Sequence, residues 1–361
     1  MKISFYRLGN MWIALKAIIE KIGVEVVDPP KITKRTLEFG TRHSPESACE
    51  PFKYILGEFK DAIDSGADTI FDFNSNSEEG CRLLQYNTGP ISILERLGYN
   101  IKTIAWGGRS QREVFGDFKK EIPSLTFLKF QLAELFGVIK VIYIEWLEDY
   151  VNQLRPYVSK KEKCNKLMEE GLELFEKADS YWKLFKVKRK ILKKEGEIPI
   201  NKNAYPIPVM VVGDLFKIVE PESNYHIFER LGNLDIIPFR SYYLSHGLRR
   251  SGKVGPWGKK SLRYRKKFAE PYIHKEMAIG TLASVGDVVI ALKKGKIKGI
   301  IHTYNFTCMP EIINSVIYKK IAKDFKVPLL SLVSGEHQTE VHQDTRLEAF
   351  VDLLKKKEEE K

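Results

Sequence analysis

Gly299-Ile300-Ile301-His302-Thr303-Tyr304-Asn305-Phe306-Thr307-Cys308-Met309-Pro310-Glu311 reads as a strand running out into a loop that presents one cysteine. Proline two positions after Cys308 suits the first turn of a helix, where its missing N–H costs nothing. Cys308 is therefore expected at a helix N-terminus, where the positive end of the helix dipole favours a thiolate, the form that binds metal. Strand, loop and helix in that order make half of a parallel α/β unit, and the same order recurs on both sides of this stretch.

Upstream, residues 2 to 6 read as a first strand, and Gly9-Asn10 leads into an apolar-periodic helix from Met11 to Ile22 and a strand from Val24 to Val27. After Pro29-Pro30 come a loop around Cys49, a helix from Pro51 to Ser65, a strand from Thr69 to Phe73, a loop around Cys81, a helix from Pro90 to Leu97 and a strand from Ile101 to Ile104. Alternation of this kind implies an open, mostly parallel sheet. From about Glu121 to Glu195 the pattern changes to long helical periodicity with few breakers. Cys164, Leu167, Met168, Gly171, Leu174 and Phe175 fall on one helix face there, so Cys164 reads as a core residue. Alternation resumes at the apolar run Pro208 to Val212, which ends in Gly213-Asp214.

A second lobe follows. Its expected elements are a helix from Tyr225 to Leu231, a strand from Asp235 to Pro238, a helix from Lys266 to Leu282, a segment from Asp287 to Ala291, the strand to His302, a helix from Pro310 to Phe325 and a strand from Pro328 to Leu332. A final helix is expected to start at Thr345, where Thr345 and Glu348 match a capping box. The expected fold is α/β, with two Rossmann-like (flavodoxin-like) parallel-sheet lobes and a helical insert, divided as 1–120, 121–204 and 205–361.

Three cysteines share a placement that spacing alone does not reveal. Cys49 precedes Pro51 as Cys308 precedes Pro310, and Cys81 follows the strand ending near Phe73. In open parallel sheets ligands gather beyond the carboxyl ends of strands, so the three are expected to converge at the lobe interface. The chain has no C-x-x-C run, and a zinc site would usually show one or a nearby histidine pair, so three soft thiolates favour an iron–sulfur cluster.

The segments Met1 to Pro30, Ile32 to Thr36, His43-Ser44-Pro45-Glu46 with Cys49 and Pro51-Phe52-Lys53, Gly286-Asp287-Val288, Phe306 to Glu311 and Thr345 to Phe350 resemble the 2-hydroxyacyl-CoA dehydratase superfamily. Its nearest branch is that of the CoA protein activase, or 2-hydroxyglutaryl-CoA dehydratase component-like, proteins. The resemblance implies that Cys49, Cys81 and Cys308 hold a [4Fe–4S] cluster served by an ATP-dependent activator. It implies lyase or reductase chemistry, oxygen-sensitive and anaerobic, with a CoA thioester as substrate. Two departures bear on substrate identity. Glu79-Gly80-Cys81-Arg82-Leu83-Leu84 stands where the family usually has Gly-Pro-Cys-Arg-Phe-Gly, and Ser334-Gly335-Glu336-His337 replaces a run that tends to carry an Asp-Glu pair.

Lys53, Arg82 and His302 flank the cysteines and could donate to cluster sulfurs or offset their negative charge. The blander reading is that His302 ends a buried strand and that Lys53 lies on a helix surface. Glu336 and His337 follow the last strand and are the candidate general acid/base pair.

Four cysteines in 361 residues without local pairing fit a reducing cytoplasmic setting, and no apolar run approaches the ~20 residues that span a bilayer. The balance of 59 basic against 47 acidic residues, net +12, favours anionic partners such as CoA phosphates. Arg249 to Lys267 carries nine cations and no acid, with Trp257 and Tyr264 interleaved. It reads first as a docking loop for a partner or for CoA, with nucleic acid a distant third. One three-thiolate site per chain implies a homodimer or a homologous subunit. The rival class is an electron-transfer or partner-docking subunit without catalysis of its own.

Overall fold

The computed structural model describes residues 1–72, 81–86, 88–105, 109–201, 203–245, 262–277, 280–335 and 340–360. The chain forms two compact units, Met1–Lys140 and Val141–Lys361.

In the first unit β1 (Lys2–Ser4), β2 (Glu25–Val26), β3 (Thr69–Asp72) and β4 (Lys102–Ala105) form a parallel sheet in the order β2-β1-β3-β4. Between them run α1 (Trp12–Ile22), α2 (Lys34–His43), α3 (Glu50–Asp64) and α4 (Gly89–Arg96), followed by α5 (Gln111–Glu121) and α6 (Phe127–Leu154). Alternate strand residues face opposite ways. Ile3, Phe5, Phe71 and Ile104 pack with Leu15 and Ile19 of α1, Val114 and Phe118 of α5 and Phe130 of α6. Tyr6, of opposite parity, meets Phe59 of α3 edge-on at 6.1 Å.

Helices α2 and α3 approach so closely that a Cβ at Gly40 would lie 1.8 Å from the Lys53 carbonyl oxygen, and one at Gly57 2.1 Å from that of Thr36. Only glycine fits at either contact.

The second unit repeats the strand order. Strands β5 (Ile207–Gly213), β6 (Ile236–Arg240), β7 (Gly299–Asn305) and β8 (Leu329–Ser334) pair in parallel as β6-β5-β7-β8. Its helices are α7 (Glu162–Glu176), α8 (Tyr181–Glu195), α9 (Leu215–Val219), α10 (Pro221–Asn224), α11 (Ile227–Asn233), α12 (Leu262–Ala269), α13 (Thr281–Lys293), α14 (Met309–Asp324) and α15 (Glu340–Glu359). Met210, Val212 and Ile300 pack on Val285 and Val289 of α13 and Tyr318 and Ile321 of α14. Gly299 faces the other way, toward Phe350 and Leu354 of α15. The α/β architecture with two parallel sheets is as expected. The helical stretch expected at 121–204 is divided between the units, because α6 crosses the boundary and α7 and α8 belong to the second.

Three element expectations are corrected. The last helix begins at Glu340, so Thr345 lies inside it and its hydroxyl donates to the Val341 carbonyl at 3.3 Å instead of capping. The run from Lys266 to Leu282 is no single helix: α12 ends at Ala269 before Pro271, and α13 starts after Gly280, whose φ of 79° is left-handed. Asp287 to Ala291 lies within α13. Tyr225 and His226 both have φ of 53°, so the helix expected from Tyr225 begins at Ile227.

Candidate metal centre

Cys49 is the N-cap of α3, extended at φ −71° and ψ 155°, with Pro51 in the first turn. Its sulfur does not cap the helix. Instead Sγ lies 2.9 Å from the Tyr86 hydroxyl, and the Cys49 backbone N–H donates to the same oxygen at 3.4 Å. Cys81, half-buried, leads into a 3-10 turn, Arg82–Gln85, that delivers Tyr86. The Arg82 guanidinium donates to the Ser47 carbonyl at 3.1 Å. Two hydrogen-bonded links thus lace the Cys81 turn to the Cys49 loop.

Lys53 stands one turn along α3 from Cys49 and is buried, not on the helix surface. Burial pulls its ammonium pKa down, while Glu50, Cys49 and Glu46 act to raise it. Motif reading missed Tyr6, Glu58 and Asp72, all buried, of which Tyr6 lies within reach of the Cys81 charge. Burial raises the Tyr6 pKa well above its ordinary value, and the charges of Asp72, Glu58 and Cys81 add to the rise, so the phenol stays protonated beside this acidic cluster. Glu58 accepts from the Arg7 backbone N–H at 2.7 Å. No local spacing links these residues, because tertiary folding brings them together from three separate elements.

In the second unit Cys308 is the N-cap of α14, extended at φ −82° and ψ 93°, with Pro310 in the first turn. The loop before it is built by Asn305, whose Oδ1 accepts from the Thr307 N–H at 3.1 Å and from its hydroxyl at 2.9 Å. The Asn305 N–H donates to Asp214 at 3.1 Å, and the other Asp214 oxygen caps α9 through the Lys217 N–H at 2.8 Å. Asp214 therefore ties the ends of β5 and β7 at the point between them where strand order reverses.

His302 is fully buried in β7, and its Nε2 lies 2.8 Å from Glu311, whose other oxygen accepts from Asn314 at 2.9 Å. The His302 ring stacks on Tyr304 at 4.3 Å, and its Nδ1 has no hydrogen-bond partner among the described residues. Phe306, Met309, Ile312, Ile313 and Val316 are exposed around Cys308 and along α14, an apolar face that the sequence reading did not mark.

Cys164 lies fully buried in α7, as its periodicity implied, and burial raises its thiol pKa, which suits a core residue. Glu336 and His337 lie outside the described residues, as does the stretch 249–261. Of the remaining basic residues, Arg265 is buried and paired with Asp287 at 3.1 Å, so it is not a docking cation.

Cysteine thiolates are soft donors of the kind that soft metals take. Cys49, Cys81 and Cys308 are in no disulfide, and all three stand in extended conformation just before a helical turn. Among the described residues no group of three or more His, Cys, Asp or Glu side chains is gathered around a common point that could hold a metal ion. No protein-family model matches the chain, and no curated protein matches it. What fold and site together define is an α/β protein of two like-ordered parallel sheets, each with a cysteine after its third strand.

Proposed function

We propose that this chain is an iron–sulfur protein of the kind its motifs resemble, a 2-hydroxyacyl-CoA dehydratase component, in which Cys49, Cys81 and Cys308 hold a [4Fe–4S] cluster. Such a cluster supplies one-electron chemistry, and three protein thiolates leave one iron open to a further ligand. An ATP-dependent activator is the electron source, and a CoA thioester the substrate of a reductive or radical reaction. A second copy or a homologous subunit completes the assembly.

The observation that carries this reading is the placement of the cysteines: Cys81 and Cys308 follow the third strand of two sheets of the same order, and Cys49 and Cys308 stand at helix N-termini. The chain's own groups have defined parts. Arg82 holds the two cysteine loops of the first unit together and, with Lys53, brings positive charge toward thiolates. Tyr6 remains a protonated hydrogen-bond donor. Glu311 fixes the ring of His302. The net charge of +12 suits the phosphates of CoA.

Anaerobic purification with iron and sulfide quantification and electron paramagnetic resonance tests the proposal. About four irons per chain are expected for one cubane. Zinc, or no metal, would overturn it. Mixing the loaded protein with an activator, ATP and a 2-hydroxyacyl-CoA then separates catalysis from electron carriage. The second reading, a carrier or docking subunit without catalysis of its own, is favoured by the exposed apolar residues Phe306, Met309, Ile312 and Val316 beside Cys308. Cluster reduction without dehydration would select it. Among the described residues no helix is long and apolar enough to cross a membrane.

A further inference from the structure

We infer that the exposed face of α8 is a docking surface for an anionic lipid membrane, on which the helix lies flat with its aromatic rings in the headgroup layer. The contact is one of surface, not a span. It is independent of the cluster reading, since α8 carries none of the proposed ligands.

The helix is held by one face. Leu184, Val187 and Ile191, spaced i, i+3 and i+7, are buried, and Ile191 packs beside Gly171 of α7, where a Cβ would come within 3.4 Å of its Cδ1. The helical turn then places Trp182, Lys186, Arg189 and Lys193 on the opposite face, with Tyr181, Phe185 and Leu192 along its flank, and all seven are exposed. Trp182 is 61 % exposed. Large apolar side chains left together in water mark an interaction site. Seven of the fifteen residues of α8 are Lys or Arg, and Glu195 is its single acid. Lys183 pairs with Asp179 and Lys194 with Glu170, whereas Lys186, Arg189 and Lys193 form no ion pair among the described residues. The face is therefore apolar and cationic at once.

That combination suits lipid. Trp and Tyr settle at the boundary between acyl chains and water, and Lys and Arg beside them attract anionic headgroups. Nucleic acid would need ring faces open for stacking. Here Trp182 and Phe185 stack on each other at 5.6 Å and 23°, Lys186 lies over the Trp182 ring at 5.3 Å, and Arg189 over that of Phe185 at 5.9 Å, so both rings already have partners over their faces. Leu192 offers no ring at all. A second copy of the chain, meeting this face with its own, would bring like cations together. An anionic membrane satisfies both the charge and the apolar stripe.

The test is flotation of the full chain with vesicles of phosphatidylcholine, alone or with phosphatidylserine. Binding is expected only with phosphatidylserine and should weaken as salt rises. Lys186→Gln, Arg189→Gln and Lys193→Gln, made together, should weaken it about a hundredfold, about fivefold for each cation near the surface. The same change at Lys319, Lys320 and Lys323, exposed on α14, removes equal charge and should weaken it far less. All six side chains are exposed, so neither variant disturbs the core. Brominated phosphatidylcholine in the vesicles should quench part of the tryptophan fluorescence, and Trp182→Phe should remove that part. No binding to the phosphatidylserine vesicles, equal loss from the two triple variants, or quenching that persists in Trp182→Phe overturns the inference. A single-stranded oligonucleotide that binds more tightly than the vesicles and quenches Trp182 would give the face to nucleic acid, and overturn it as well.

Discussion

The Nε2 atom of His302 lies 2.8 Å from a carboxylate oxygen of Glu311, nine residues later and in the first turn of the following helix. The pair ties the strand that leads to Cys308 to the helix that Cys308 caps. Its energetic weight comes from burial, since both side chains are withdrawn from water and Glu311 also serves Asn314.

Glu311→Ala should therefore destabilise the second unit by about 3 kcal/mol, because it leaves His302 and Asn314 with buried donors and no acceptor. Glu311→Gln keeps an acceptor oxygen and should lose less. Chemical denaturation of both variants measures the difference, and a loss below about 1 kcal/mol for the alanine variant would mean that water fills the gap.

Replacement of Cys49, Cys81 or Cys308 by alanine should each abolish the cluster absorbance of the anaerobically reconstituted protein. Cys164→Ala should keep the absorbance and lower stability by about 1 kcal/mol, as expected for a small buried side chain. Equal loss of absorbance from the Cys164 variant would sink the ligand assignment.

Gly40→Ala forces a methyl group against the Lys53 carbonyl, 1.8 Å from where its Cβ would stand, so α2 and α3 must separate. About 3 kcal/mol should be lost, read as a lower melting temperature. Since Cys49 is the N-cap of α3, the proposed cluster reading also expects the variant to load less iron. Unchanged melting would show that the two helices can part without cost.

Glu145 provides a pH dependence with a definite sign. Burial pushes its carboxyl up to about 7, opposed by Arg240 and by Ser245. The unfolded chain releases that proton near the ordinary value of 4.5, so between these two values the folded state holds a proton that the unfolded state has lost. Stability contributed by this group falls as pH rises through that window. Glu145→Gln should flatten the slope and gain about 3 kcal/mol at pH 8 relative to the unaltered chain. Urea midpoints across the pH range measure it, and a parallel slope in the variant would assign the dependence elsewhere.

What could be read from the chain was whatever is local. The run Gly299 to Asn305 followed by Cys308 and Pro310 declares strand, loop and helix within thirteen residues, and the Cys49 loop repeats the signal. The Thr345 misreading shows the limit of a four-residue pattern: a Thr-x-x-Glu inside a helix looks the same as one at its start, and the Thr345 hydroxyl donating back to the Val341 carbonyl marks the interior position. Between Lys266 and Leu282 apolar periodicity masked the breakers Pro271 and Gly280. Tyr86 lies 37 residues from Cys49, so nothing in spacing could have joined them.

The repeated strand order also governs how the protein is made. β1 and β5 are translated before every other strand of their sheets, yet each is an inner strand with a partner on both sides. As the chain leaves the ribosome, Ile3 must wait for Thr69, and Met210 for Ile300, before the register can close. Each sheet can start from its β1–β2 or β5–β6 pair but is completed late, through contacts distant in sequence, a route that is slow and leaves one side of an apolar strand uncovered. The first sheet can nonetheless be complete before β5 is synthesised, so the nascent chain exposes one unfinished sheet at a time.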